Sequence, residues 1–204
     1  MDIQQRLLST FTNGGYFVEA GAHDGVGDSQ TKILEDKGWA GICIEPSSAF
    51  VGLKRSRKCH VDNRCLFDAD RAFPLFREMS GNAVELSGLV NHFQDDRWDR
   101  SSRPHKDRAI ESVTLTTILQ QYNAPGVIEF LSLDTEGSEP IILGCHDFER
   151  FRFLTMMVEY NGVDAHKLRL IELLAPKGYL VAYDDKTNLL FVDRGGVWDR
   201  TWNQ

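Results

Sequence analysis

Residues 165–193 read AHKLRLIELLAPKGYLVAYDDKTNLLFVD, and this ending decides the fold. Residues 165–177 place apolar side chains along one side of an amphipathic helix, and Gly178 stops it. Tyr179–Asp184 and residues 189–193 are strands joined by a tight polar turn, 185–188. So short a turn forces the two strands to run antiparallel, because a parallel pair needs a long crossover. Everything upstream alternates strand with helix, so the last strand is the exception in a mostly parallel sheet.

Residues 15–20 (GYFVEA) form a first buried strand. Asp28 or Ser29 can cap a helix that runs to Lys37 and stops at Gly38. Residues 40–45 (AGICIE) form a second strand, closed by Pro46, and residues 48–57 carry Phe50 and Leu53 as a helical stripe. Residues 60–67 read as a third, weaker strand. Between 71 and 112 the pattern loosens around Pro74, a strand near 83–86 and a polar stretch, 92–108. Order returns with a helix at 113–122, the strand 127–134 (VIEFLSLD), a helix opening at 138–145 and the strand 154–160 (LTMMVEY). Pro140 sits in a first helical turn, where proline is tolerated. Residues 1–11 read as a short first helix with Leu7, Leu8 and Phe11 on one side. The expected class is α/β: a mostly parallel seven-stranded sheet, helices on both faces, and one antiparallel C-terminal strand.

The 204 residues fit one domain, 1–204, which a longer protein could also carry as a segment. No apolar run approaches the ~20 residues of a membrane span, and the start lacks the layout of a signal peptide. Acids outnumber bases, 30 to 23, for a formal charge of −7. Nucleic-acid binders need a basic surface, so that partner is not expected. The cysteines at 43, 59, 65 and 145 have no metal-type spacing. They read as reduced, structural thiols of a cytoplasmic protein.

In an open α/β sheet, ligands bind beyond the carboxyl ends of the strands. The first strand ends Glu19-Ala20-Gly21-Ala22-His23-Asp24-Gly25. Gly21 and Gly25 permit a tight turn, but glycines at 21, 25 and 27 are not the spacing of a pyrophosphate loop. Glu19, buried before the turn, needs a partner, and the ammonium of a methionine-like moiety would serve. Glu45 ends the second strand, where an acid can accept both hydroxyls of a ribose.

The fourth strand ends Asp134-Thr135-Glu136-Gly137-Ser138-Glu139 and the fifth Glu159-Tyr160-Asn161. Asp134, Glu159 and Asn161 could ligate a divalent cation such as Mg²⁺, or orient and deprotonate a hydroxyl. Glu139 reads better as a helix N-terminal acid favoured by the dipole. The polar stretch 92–108 holds His92, Trp98 and His105 among five bases and four acids. It reads either as a lid over an acceptor or as a solvated loop.

Three blocks in order resemble the FkbM-type S-adenosylmethionine (SAM)-dependent methyltransferases: Gly21-Ala-His-Asp-Gly with Ser29–Glu35 and Gly38–Pro46; Phe130–Glu139; and Val158-Glu-Tyr-Asn161. The similarity runs from about residue 15 to 193 and is weakest at 68–112. It implies a Rossmann-like methyltransferase fold, whose terminal antiparallel strand matches the ending above. It implies that Glu19, Gly21, Asp24 and Ser29, with Ala22 and Gly25 in the same turn, surround the methionine part of SAM. Glu45 would hold the ribose, and residues 63–66, with Asn63, Cys65 and Leu66, would lie near the adenine. Asp134, Thr135 and Glu136 would lie beside the sulfonium and the acceptor. Tyr160 stands where many relatives carry a histidine, so a base there does not carry over.

The resemblance also implies O-methylation of a small-molecule or glycan acceptor, a sugar hydroxyl first and a natural-product hydroxyl second. Such a hydroxyl must lose its proton as the new bond forms, and the candidate bases are Asp134, Glu159 and His105. The rival readings are an NAD-dependent oxidoreductase, disfavoured by the glycine spacing and the terminal hairpin, and a non-catalytic nucleoside-binding module. A nucleic-acid methyltransferase lacks support, because no Asn-Pro-Pro-Tyr-like motif for a flipped base is present.

Overall fold

The computed structural model describes residues 3–93 and 99–196. Trp98 and the middle of the polar stretch, 94–98, lie outside the described residues. The chain begins α1 (Ile3–Thr10), β1 (Tyr16–Ala20), α2 (Lys32–Asp36), β2 (Ala40–Ile44), α3 (Phe50–Ser56) and β3 (His60–Asp62). Five strands follow: β4 (Cys65–Leu66), β5 (Leu75–Met79), β6 (Gly88–Leu89), β7 (His105–Ala109) and β8 (Ser112–Val113). The last part is α4 (Leu115–Gln121), β9 (Val127–Leu133), α5 (Glu139–Gly144), β10 (Arg152–Glu159), α6 (Asp164–Leu174), β11 (Tyr179–Asp184) and β12 (Asn188–Asp193).

The large sheet runs β3-β2-β1-β9-β10-β12-β11. Its β1–β2, β2–β3, β1–β9 and β9–β10 pairs are parallel, while β12 is antiparallel to both β10 and β11. Alternation along the strands makes two cores, one per face. Val18, Ile42, Leu131, Met156 and Val158 pack with α4, α5 and α6 through Leu115, Ile142 and Leu170. Phe17, Cys43 and Phe130 face the other way, toward α1, α2 and α3 through Leu7, Leu34 and Leu53. The chain leaves β1 toward β2 and β3, then returns to β9 on the other side of β1. The strand order therefore reverses between β1 and β9, and a ligand crevice is expected outside their carboxyl ends.

The structure revises several local expectations. The helix expected from Asp28 or Ser29 begins at Lys32, because Asp28 is left-handed (φ 54°). Ser29 still serves its start, its hydroxyl accepting the N–H of Thr31 and Lys32. The third strand is split: β3 stays in the large sheet, while β4 pairs with β8. The strand expected near 83–86 is a 3₁₀ turn, Gly81–Leu86. Four strands went unread: β8, which pairs with β4, and β5, β6 and β7, which make a small sheet ordered β6-β5-β7. Arg77 and Asp107 lock the β5–β7 register with two 2.8 Å bonds. Among the described residues, no helix is long and apolar enough to cross a membrane.

Candidate active site

The crevice is built where β1 and β9 end side by side. The N–H of Asp134 donates to the carbonyl of Ala20 at 3.1 Å, continuing the ladder one residue past the strands. The chain then leaves β1 through Gly21 at φ 78°, and a Cβ there would lie 1.7 Å from the Asp134 carbonyl oxygen. Only glycine fits such an approach. His23, Glu136 and Asn161 also adopt left-handed backbone, all in loops at the carboxyl end of the sheet. Strained residues of this kind gather at functional sites.

A cavity of about 240 Å³ opens over these loops. One side is carboxylate-rich, with Glu19, Glu45, Asp134 and Glu136; the other is apolar, with Cys65, Leu66, Phe76 and Leu89. A second cavity of about 130 Å³, lined by Ser132, Glu159 and Asn188, shares Glu19, Gly21 and Asp134 with the first. The 3₁₀ turn 81–86 and β6 close the large cavity from above. β6 and the turn that follows it press on the β9–α5 loop: a Cβ on Gly88 would lie 3.1 Å from Cβ of Glu136, and one on Gly137 would lie 2.1 Å from the His92 carbonyl.

Glu19 already has a counter-charge within the chain. Its carboxylate accepts from Ser29, Thr31, the Gln30 N–H and, at 3.0 Å, from Arg57. Arg57 also bonds Glu35, so a buried Glu19–Arg57–Glu35 cluster lies beneath the β1 turn. The partner that a buried Glu19 needs is thus present within the chain, and Glu19 also lines both cavities. Glu45 takes one backbone N–H on each oxygen, from His23 at 2.8 Å and Ser47 at 2.7 Å.

Four acids crowd the ends of β9 and β10. Glu139 is buried and reaches back to the N–H groups of Thr135 and Gly137, holding the loop in shape. Burial nevertheless pushes its pKa up to about 7. Glu136 is paired with the buried Arg100, yet burial and the nearby Asp134 push it up to about 8. Asp134 keeps an exposed face toward the cavity, and the walls around it desolvate its carboxyl in part. That desolvation, with the charges of Glu45 and Glu19, raises its carboxyl above the usual range. Glu159 is raised by burial first and by Asp134 and Glu136 next, and it is hydrogen-bonded to Asp134. Two such acids share a proton because both cannot ionise together.

The cavities bring together Glu19, Gly21, Ala22, Ser29, Glu45, Cys65, Leu66, Asp134, Thr135, Glu136 and Glu159 from the residues expected by sequence. Others stand apart. Asp24 caps its own turn, accepting from Val26 and Gly27 at 2.9 Å. Gly25 leaves room for Arg57, whose Cγ would lie 2.6 Å from a Cβ there. Asn63 braces the backbone of Glu45, and Asn161 donates to Glu159 at 2.7 Å. His105 is exposed on β7, bonded to the Arg103 carbonyl, and lines neither cavity. The carboxylates that approach as a group able to hold a cation are Asp134, Glu139 and Glu159, within 4.8 Å of one another, with Glu139 in the place expected of Asn161. Arg57, Arg100 and the apolar wall of β5 and β6 were missed in the sequence.

The family described as methyltransferase FkbM domain matches residues 19–181. That span starts at the buried acid of β1 and ends within β11, so it contains every acid of the crevice. No curated protein matches the chain.

Proposed function

Because the chain belongs to the FkbM methyltransferase family, we propose that it is a SAM-dependent O-methyltransferase whose acceptor is a hydroxyl of a sugar or glycan. One observation carries the reading: Asp134 and Glu159 bring carboxylate oxygens within 4.8 Å of each other where the two cavities meet, close enough to share one proton. Glu159 holds that proton at neutral pH and donates it to Asp134. Asp134 then faces the cavity as a carboxylate more basic than usual, suited to take the proton of a poor nucleophile such as a sugar hydroxyl.

The residues present fit the cofactor. Each oxygen of Glu45 spends one lone pair on a backbone N–H and keeps another for a ribose hydroxyl. Leu66, Phe76 and Leu89 offer an apolar wall to an adenine. Gly21 lets the β1 turn pack directly on the Asp134 carbonyl, which sets the two strand ends side by side at the crevice. When bound, the cofactor supplies a methyl group activated by a sulfonium. The surrounding carboxylates favour that positive charge and disfavour an anionic acceptor. A hydroxyl-rich, uncharged acceptor suits the smaller cavity, whose walls carry Gln30, Ser132 and Asn188.

Asp134→Asn is expected to leave affinity for S-adenosylhomocysteine within a few-fold and to lower kcat at least ~100-fold. Retained turnover removes Asp134 from the role of base. A divalent cation is the other use of Asp134, Glu139 and Glu159, favoured by their approach within 4.8 Å. Against it, Glu139 already serves backbone N–H groups with both oxygens. Turnover that survives exhaustive chelation excludes the cation; turnover lost and restored by Mg²⁺ assigns it.

A further inference from the structure

Two of the four cysteines touch. Cys43 lies in β2, buried on the α1–α3 face, and Cys59 stands half-buried just before β3. The Cys59 thiol points at the Cys43 sulfur, 3.6 Å away, and the Cys43 thiol points at Oε2 of Glu19, 3.7 Å away. The three groups form a relay from the half-buried edge of the sheet to an acid that lines both cavities. Contact with Cys59, then burial and the charge of Glu19, hold the Cys43 thiol far above the usual range.

We propose that Cys43 and Cys59 are an oxidisable dithiol, a modification site that a hydroperoxide closes to an intramolecular disulfide, and that closure disturbs the Glu19 end of the crevice. The second half of this statement rests on the methyltransferase reading. Cys59, the more accessible sulfur, attacks first. Its thiolate forms an S–O bond, the O–O bond breaks, and the released alkoxide or hydroxide takes up a proton. The Cys43 sulfur then attacks the Cys59 sulfur: the S–S bond forms, the S–O bond breaks, and hydroxide leaves. The Cys43 proton passes to Glu19 and on to that hydroxide as water. Two thiols and one peroxide thus give a disulfide, an alcohol or water from the peroxide, and one further water.

A disulfide needs sulfurs about 2.05 Å apart, so the pair must close by about 1.5 Å. Cys43 is held between two paired strands, β1 and β3. The movement therefore falls on residues 57–59, which belong to no helix or strand. That segment carries Arg57, the partner of Glu19 and Glu35. Its Lys58 and Cys59 N–H groups are both held by Glu35. Pulling Cys59 inward thus strains the same ion cluster that fixes Glu19.

The test treats the purified full chain with hydrogen peroxide. Expected are a mass about 2 Da lower, a peptide linking Cys43 to Cys59, and reversal by dithiothreitol. Affinity for S-adenosylhomocysteine should fall about 10-fold on oxidation and recover on reduction. Cys59→Ser should bind like the reduced protein and lose both responses, while Cys145→Ser keeps both. Stepwise oxygen addition at Cys59 without a link, or links through Cys145, would overturn the dithiol. A Cys43–Cys59 link that leaves the affinity unchanged would overturn its coupling to the crevice. If the reduced protein binds no S-adenosylhomocysteine, the methyltransferase reading fails, while the peptide map still decides the dithiol.

Discussion

A carboxylic acid that keeps its proton at neutral pH is a hydrogen-bond donor, and that is the part of Glu159 beside Asp134. Glutamine can play the same part, donating to Asp134 and accepting from Asn161. Glu159→Gln is therefore expected to lower kcat less than ~10-fold, an order of magnitude milder than Asp134→Asn. Initial rates of the two variants check this; equal losses would make Glu159 the base. At this scale the acids were legible in the sequence, because a carboxylate closing an apolar strand has no ordinary place in a core. Arg57 was not. It lies among Lys54, Arg55 and Lys58, all exposed, in a run that reads as solvated charge. Which of the four turns inward is settled by the room at Gly25, 32 residues upstream and outside any local pattern. His105 failed the other way: its chemistry suits a base, but β7 points it at solvent.

At the scale of elements, the small sheet is where sequence patterns gave out. Phe76 and Met79 are the buried residues of β5, three apart, so the period of two that marks a strand is hidden. β7 reads His-Lys-Asp-Arg-Ala and is held by ion pairs with β5, Arg77–Asp107 and Glu78–Arg108, that no local pattern shows. Arg100 fastens this region to the site, bonding the Leu86 carbonyl on one side and Glu136 on the other. Removing one partner of a buried pair costs more than removing both. Arg100→Met should thus lower Tm by several degrees, and adding Glu136→Gln should restore part of the loss. Thermal melts of the single and double variants measure the coupling; additive losses would show that Arg100 acts elsewhere.

For the whole molecule, crowded acids set the pH dependence of stability. Glu139 and Glu136 have folded values of about 7 and about 8, above the ~4.3 of an unfolded chain. Their contribution is full below the unfolded value and is lost as pH rises through 7 and 8. Asp62 and Glu35 are shifted down, each against the cost of its burial: Asp62 by its bonds to Arg64, Glu35 by the Cys59 N–H and Arg57. Their contribution is present above about pH 4 and lost below it. Tm should therefore peak between about pH 4 and 5 and fall from there toward pH 8; a steady rise across that range would contradict the site's electrostatics. The large sheet was readable at this scale because its terminal hairpin is a local signal with a topological consequence. The small sheet had no such signal, since β5 and β7 pair across a thirty-residue separation (Arg77 with Asp107) and β6 is only two residues long.

The central claim is that the crevice between β1 and β9 takes a SAM-type cofactor, and calorimetric titration of the full chain tests it most directly. S-adenosylhomocysteine should bind with micromolar affinity and NADH should not. Binding of NADH in its place, or of neither compound, would contradict the account.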